Sequence, residues 1–173
     1  MRELILGGAR SGKSEWAERQ ARASQCDVVY VATAEAGDGE MERRIALHRV
    51  RRPASWATVE APRALAEVLS AHAAPTRCLL VDCLTLWLTN LLTSTDPQEF
   101  PRERAALIAQ LTALPGRILL VSNEVGMGVV PTGDLTRRFV DEAGRLHQDL
   151  AALCDRVTLV AAGLPLVLKE AAG

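Results

Sequence analysis

Gly7-Gly8-Ala9-Arg10-Ser11-Gly12-Lys13-Ser14 constrains what this chain can fold into more than any other stretch. It fits the phosphate-binding pattern G-x-x-x-x-G-K-[ST], which works in one structural setting. A strand must deliver the chain into the loop and a helix must carry it away, so that backbone N–H groups and a helix N-terminus converge on an anion. The flanks supply both. Glu3–Leu6 is a short apolar strand candidate, and Ser14–Ala23 is a helix candidate. The glycines let the backbone wrap a polyphosphate. Lys13 is placed to reach the β and γ phosphates, and Ser14 to hold Mg²⁺. A nucleoside triphosphate is the implied ligand.

Further apolar runs recur at Val28–Ala32, Cys78–Val81, Ile118–Ser122 and Val157–Ala161. Each is continuous rather than alternating, as in strands buried on both faces of a parallel sheet. Helix-like segments lie between them at Glu40–Arg51, Pro62–Ala73, Pro101–Leu114 and Leu135–Leu153. Trp56–Val59 reads as a further short strand, and Leu164–Leu168, which contains Pro165, as an edge strand. Asp96-Pro97 and Leu114-Pro115-Gly116 read as turns. The alternation predicts an α/β fold: one P-loop NTPase-like, RecA-like domain over 1–173, with a central, mostly parallel sheet flanked by helices. Aromatics make up only 3% of the 173 residues, so the core must be aliphatic.

A net charge of −1 argues against general electrostatic binding to nucleic acid or anionic membrane. No apolar run approaches the ~20 residues of a membrane span. The first residues form the strand that feeds the loop, so no signal peptide is expected and the protein is expected to be cytoplasmic. Cys26, Cys78, Cys83 and Cys154 show no CxxC spacing and no His at zinc-finger distance. They read as small apolar residues in a reducing compartment. No tightly bound organic cofactor is expected.

In parallel sheets ligands sit at the carboxyl ends of strands. Leu79-Leu80-Val81 ends in Asp82, the usual partner of a phosphate loop, whose carboxylate orients Mg²⁺ directly or through water. Asp82 is also positioned as an N-cap for Cys83–Leu92, and the two roles are compatible. The run Val28–Ala32 leads to Thr33, whose hydroxyl suits either a nucleotide contact or a cap or turn. Arg43, Arg44, Arg49, Arg51 and Arg52 form the densest basic cluster, with His48 among them. Guanidinium groups match phosphate oxygens, although a solvated helix face is the bland reading. Nearby cations favour neutral imidazole, which is a nucleophile. His72, after an amphipathic helix, and His147, mid-helix, read as surface or packing residues. Ser122-Asn123-Glu124 ends a buried strand and enters the glycine-bearing, apolar loop Val125–Pro131. Glu124 reads as site-lining, with metal-bound water, base or backbone capping as open roles. The apolar loop suggests a large apolar ligand or a subunit contact.

A signalling GTPase would need N-K-x-D after a strand, and the chain has none. A protein kinase would need H-R-D and D-F-G, also absent. The assembled motifs resemble the bifunctional adenosylcobinamide kinase/adenosylcobinamide-phosphate guanylyltransferase family. The resemblance rests on the phosphate loop, Tyr30–Ala34, Glu40-Met41, Arg44-Ile45, His48-Arg49, Arg52-Pro53, Trp56, Thr89–Leu92 and Ser122–Pro131. It implies phosphorylation of the hydroxyl on the aminopropanol arm of adenosylcobinamide by a nucleoside triphosphate. Transfer of GMP from GTP then follows through a guanylylated histidine, which by motif position is His48. Lys13 joins His48 as a catalytic residue. The nucleotide site implied comprises Gly7, Gly8, Ala9, Arg10, Ser11, Gly12, Lys13, Ser14, Ala32, Thr33, Ala34, Arg49, Val50, Arg51, Arg52, Glu60 and Asp82, with Ser14 and Asp82 on the metal. GTP or ATP is the donor, and a homo-oligomer, a trimer, is implied. Two other readings share the loop: a small-molecule kinase without guanylyl transfer, and a nucleotide-driven oligomeric switch. Neither needs a histidine nucleophile.

Overall fold

The computed structural model describes residues 1–35 and 53–170. In chain order its elements are β1 (Arg2–Gly7), α1 (Lys13–Ala23), β2 (Asp27–Ala32), β3 (Ala57–Glu60), α2 (Leu65–His72), β4 (Arg77–Asp82), α3 (Leu84–Leu92), α4 (Glu99–Leu111), β5 (Arg117–Asn123), α5 (Asp134–Leu153), β6 (Arg156–Ala161) and β7 (Leu164–Glu170). The helix expected at Glu40–Arg51 lies outside the described residues.

The strands form one seven-stranded sheet in the order β3-β2-β4-β5-β1-β6-β7. Every neighbouring pair is parallel except β6 and β7, which run antiparallel. The continuous apolar runs are explained by burial on both faces. On one face Ile5, Tyr30, Leu80, Leu119 and Val121 pack under Ala17 and Ala21 of α1. On the other, Leu4, Leu6, Val29, Val31, Leu79, Val81 and Leu120 meet the apolar faces of α2, α3, α4 and α5. Trp87, fully buried, is the largest side chain in that second layer.

Element ends differ from the sequence reading for local reasons. The α2 helix begins at Leu65 rather than Pro62, because the carbonyls of Pro62 and Arg63 are taken by side chains of α3, Asn90 Nδ2 (2.9 Å) and Trp87 Nε1 (2.6 Å). The α4 helix starts before Pro101, since proline is tolerated in a first turn where its missing N–H has no partner to lose. It stops at Leu111, where Arg2 donates to the carbonyls of Leu111, Thr112 and Leu114. The α3 helix takes Cys83, not Asp82, as its N-cap, and no side chain caps it. The expected capping role of Asp82 is therefore replaced by its position at the end of β4.

Candidate nucleotide site

The sheet's register gathers the expected residues along one edge. Ala32 pairs with both Glu60 and Asp82, Asp82 pairs with Val121, and Gly7 pairs with Asn123. The carboxyl ends of β1, β2, β3, β4 and β5 thus lie side by side, and the phosphate loop rises from the end of β1.

The loop's shape follows from its glycines and neighbours. Gly12 sits at φ 93 and Arg10 at φ 56, both in the left-handed region. A Cβ on Gly7 would stand 2.4 Å from Ser11 Oγ and 2.5 Å from the carbonyl oxygen of Val160, so the strand exit has no room for a side chain. The Ser11 N–H closes a turn onto the Gly8 carbonyl at 3.2 Å. Gly8, Ala9 and Arg10 are exposed, and Ser11, Gly12 and Ser14 are half-buried at the mouth of α1. Lys13 opens α1 and is buried, with Nζ donating to the Gly8 carbonyl at 3.1 Å. Burial lowers its pKa, opposed by the nearby Asp82 carboxylate. The ammonium therefore lies across its own loop, beside the one carboxylate that ends a central strand.

Asp82 is half-buried, and its Oδ2 accepts a hydrogen bond from the Tyr30 hydroxyl at 3.2 Å. The peptide bond from Asp82 to Cys83 is cis. Thr33 has a role the sequence left open. It is fully buried, and its Oγ1 both donates to the Cys83 carbonyl (2.7 Å) and accepts from the Cys83 N–H (2.8 Å). Its hydroxyl ties the end of β2 to the end of β4. Asn90 completes that tie, donating through Nδ2 to the carbonyls of Thr33 (2.8 Å) and Pro62 (2.9 Å). Ala34 is half-buried beyond it, and Glu60 is exposed at the end of β3. His48, Arg49, Val50, Arg51 and Arg52 lie outside the described residues.

Beyond β5, Glu124 donates its backbone N–H to the Gly7 carbonyl at 3.0 Å, which sets it directly beside the phosphate loop. Its Oε1 accepts from the Gly126 N–H, 2.5 Å away. Its Oε2 lies 3.8 Å from Nδ1 of His147. His147 is buried rather than a surface residue, and its Nε2 is 2.7 Å from Ser122 Oγ. Burial lowers its pKa below the ordinary 6.5, with Glu124 pulling the other way. Spacing held a signal for this: His147 falls one helical turn from Ala143 and Leu150, on the face that α5 buries. Asn123, next to Glu124, donates to Thr85 Oγ1 at 2.8 Å. The loop that follows exposes Met127, Val129 and Val130.

A parallel sheet whose first strand opens into a glycine-rich loop, with a lysine at the head of the next helix, defines a P-loop nucleotide-binding protein. Solved structures agree on the fold. The flagellar accessory protein FlaH from Methanocaldococcus jannaschii superposes with a TM-score of 0.57 over 98% of this chain and 78% of its own, at 14% identity. The RadB recombinase does so at 0.51 over 91% and 73%, also at 14% identity. A family model described as cobinamide kinase / cobinamide phosphate guanyltransferase matches residues 3–168, and the chain belongs to that family. It is 65% identical over 169 residues to the bifunctional adenosylcobalamin biosynthesis protein CobP of Pseudomonas aeruginosa, covering 98% of each. It is 42% identical over 179 residues to the bifunctional adenosylcobalamin biosynthesis protein CobU of Salmonella typhimurium, covering 96% of this chain and 98% of that one.

Proposed function

We propose that this chain carries out two successive reactions of cobalamin biosynthesis within one domain spanning 1–173. In the first, the hydroxyl oxygen of the aminopropanol arm of adenosylcobinamide attacks the γ-phosphorus of GTP or ATP. The bond from that phosphorus to the β–γ bridging oxygen breaks, and the nucleoside diphosphate leaves. In the second, a ring nitrogen of His48 attacks the α-phosphorus of GTP and pyrophosphate leaves. The phosphate of adenosylcobinamide phosphate then attacks the guanylyl phosphorus, freeing His48 and forming adenosyl-GDP-cobinamide. Family membership across residues 3–168 carries this reading.

The geometry supports roles for the chain's own groups. The loop amides and the α1 N-terminus receive the phosphates. Lys13 exchanges its bond to the Gly8 carbonyl for a phosphate oxygen, and a charge held in a buried site acts strongly on the charge that develops in transfer. Among the described residues, no three of His, Cys, Asp and Glu gather as a metal cluster. One hydroxyl and one carboxylate, Ser14 and Asp82, suit an ion that completes its shell from phosphate and water, as Mg²⁺ does. Those two residues would hold it, and its charge would offset that of the phosphates. With Asp82 assigned to the ion, Glu124, whose backbone N–H bonds to the Gly7 carbonyl, is the carboxylate to take the acceptor hydroxyl's proton. Arg49–Arg52, Glu60, Ala32 and Ala34 complete the nucleotide site, whereas Thr33, expected among them, is buried with its hydroxyl held by Cys83 and supports the strand ends instead.

No described helix is long and apolar enough to cross a membrane. The exposed apolar residues of β7, Leu164, Leu166, Val167 and Leu168, support self-association of the kind expected from the family, a trimer.

Labelling tests the covalent step. The protein is incubated with Mg²⁺ and GTP carrying label at the α- or the γ-phosphate, then denatured. An acid-labile α-label that disappears in His48→Ala is the expected result. Retention of neither label would overturn the guanylyl-histidine.

A further inference from the structure

The Ser122–His147–Glu124 group adjoins the phosphate loop through the Glu124 N–H bond to the Gly7 carbonyl, and the chemistry proposed above uses only its carboxylate. Ser122 and His147 are buried, and the Glu124 side chain is only 20% exposed. The ring's two nitrogens face different partners: Nε2 meets Ser122 Oγ at 2.7 Å, and Nδ1 faces Glu124 Oε2 at 3.8 Å. A hydroxyl can donate or accept, and a carboxyl does one or the other with its protonation state. The ring therefore has two self-consistent neutral arrangements. With Glu124 ionised and its Oε1 held by the Gly126 N–H, Ser122 donates to Nε2 and the Nδ1–H dipole points toward Oε2 across 3.8 Å, longer than a hydrogen bond. With Glu124 protonated, the carboxyl faces a bare Nδ1, and Nε2–H points to Ser122. Burial disfavours a charged ring in either case. Among the described residues, Glu124 is the charged group whose field acts on the ring.

We infer that His147 is a positioning residue for phosphoryl transfer: it orients Glu124 beside the phosphate loop and, by exchanging one tautomer for the other, accommodates the carboxylate both before and after it takes the acceptor's proton. This rests on the reading of Glu124 as proton acceptor. The transfer of GMP to a phosphate acceptor removes no hydroxyl proton. It therefore serves as the reference reaction within the same protein.

Two near-isosteres divide the ring's functions. His147→Asn keeps a donor at the Nδ1 position, and His147→Gln keeps one at the Nε2 position. In the whole enzyme, His147→Gln is expected to lower kcat for γ-phosphoryl transfer about tenfold relative to the guanylyl step, with nucleotide KM within about twofold. His147→Asn is expected to recover most of that loss. Side-chain ¹⁵N NMR of His147 at neutral pH should show the Nδ1–H tautomer. A drop shared equally by both reactions and accompanied by a lower Tm would overturn the inference, as would an Nε2–H ring beside ionised Glu124. Glu124→Gln separates the two claims. If it leaves phosphoryl transfer intact, the proton-acceptor reading fails, while the tautomer still reports whether His147 orients Glu124. If it lowers transfer about 100-fold but His147→Gln changes nothing, the positioning role alone fails.

Discussion

The backbone N–H of Gly163 donates to the Ser11 carbonyl across 2.8 Å, bonding the turn between β6 and β7 to the phosphate loop. The contact is close: a Cβ on Gly12 would stand 3.1 Å from the Gly163 Cα. A turn far along the chain thus braces the loop that closes β1.

That brace can be weakened without filling space. Gly163 has φ +78 and open room around its Cα, so alanine there meets backbone strain and no clash. Gly163→Ala is expected to cost about 1–2 kcal/mol by urea denaturation and to raise nucleotide KM several-fold. Its neighbour Ala162 already sits at φ 52, and turns with two positive φ values favour Asn-Gly. Ala162→Asn should therefore add about 0.5–1 kcal/mol and leave KM unchanged. Equal KM for Gly163→Ala and the parent would show that the loop holds its shape without the turn.

Much of the fold was legible because its signals are local. The phosphate loop fixes the strand before it and the helix after it, and the unbroken apolar runs at Val28–Ala32 and Cys78–Val81 announce two covered faces. Pro165 was compatible only with an edge, where β7 lies. The polar struts were not legible. Thr33 bonds to Cys83, fifty positions away, and His147 to Ser122, separated by 25. Such pairs exist only once the sheet has set strand beside strand. Motif matching singled out Asn90 but gave no reason for it; its two carbonyl partners, Thr33 and Pro62, supply one.

Thiol chemistry checks the reading of the cysteines as packing residues. Burial pushes Cys78 up to about 11 and Cys154 up to about 12, and raises Cys83 as well. Cys26 is the half-buried one. With a disulfide reagent at about pH 8, the native protein should release one equivalent quickly and all four after denaturation. Rapid release from Cys83 would contradict its buried position beside the phosphate loop.

Two apolar surfaces are exposed, and the proposed substrate binding and self-association would divide them. Met127, Val129 and Val130 project from the loop after Glu124, beside the site, whereas Leu164, Leu166 and Leu168 lie on the edge strand β7. Met127→Asp is expected to raise KM for adenosylcobinamide and leave sedimentation unchanged. Leu166→Asp is expected to shift sedimentation toward the monomer. The reverse pattern would assign the loop to the subunit contact and β7 to solvent.

Acidification should expose His147 through stability. Burial holds the pKa of the folded ring below 6.5, its ordinary value, which the unfolded chain keeps. As pH falls through 6.5 the unfolded state takes a proton that the folded state refuses, so stability drops until the folded pKa is reached. The neutral ring's full contribution is present above that window. His147→Gln removes this one titration and leaves the other groups common to both proteins. Urea denaturation at about pH 7.5 and 5.5 should therefore show a smaller loss on acidification in the variant than in the parent. Glu124→Gln should enlarge the parent's loss, because the carboxylate that partly supports the protonated ring is gone. If His147→Gln leaves the pH dependence unchanged, the folded ring titrates as it does in water and is not held neutral by its burial.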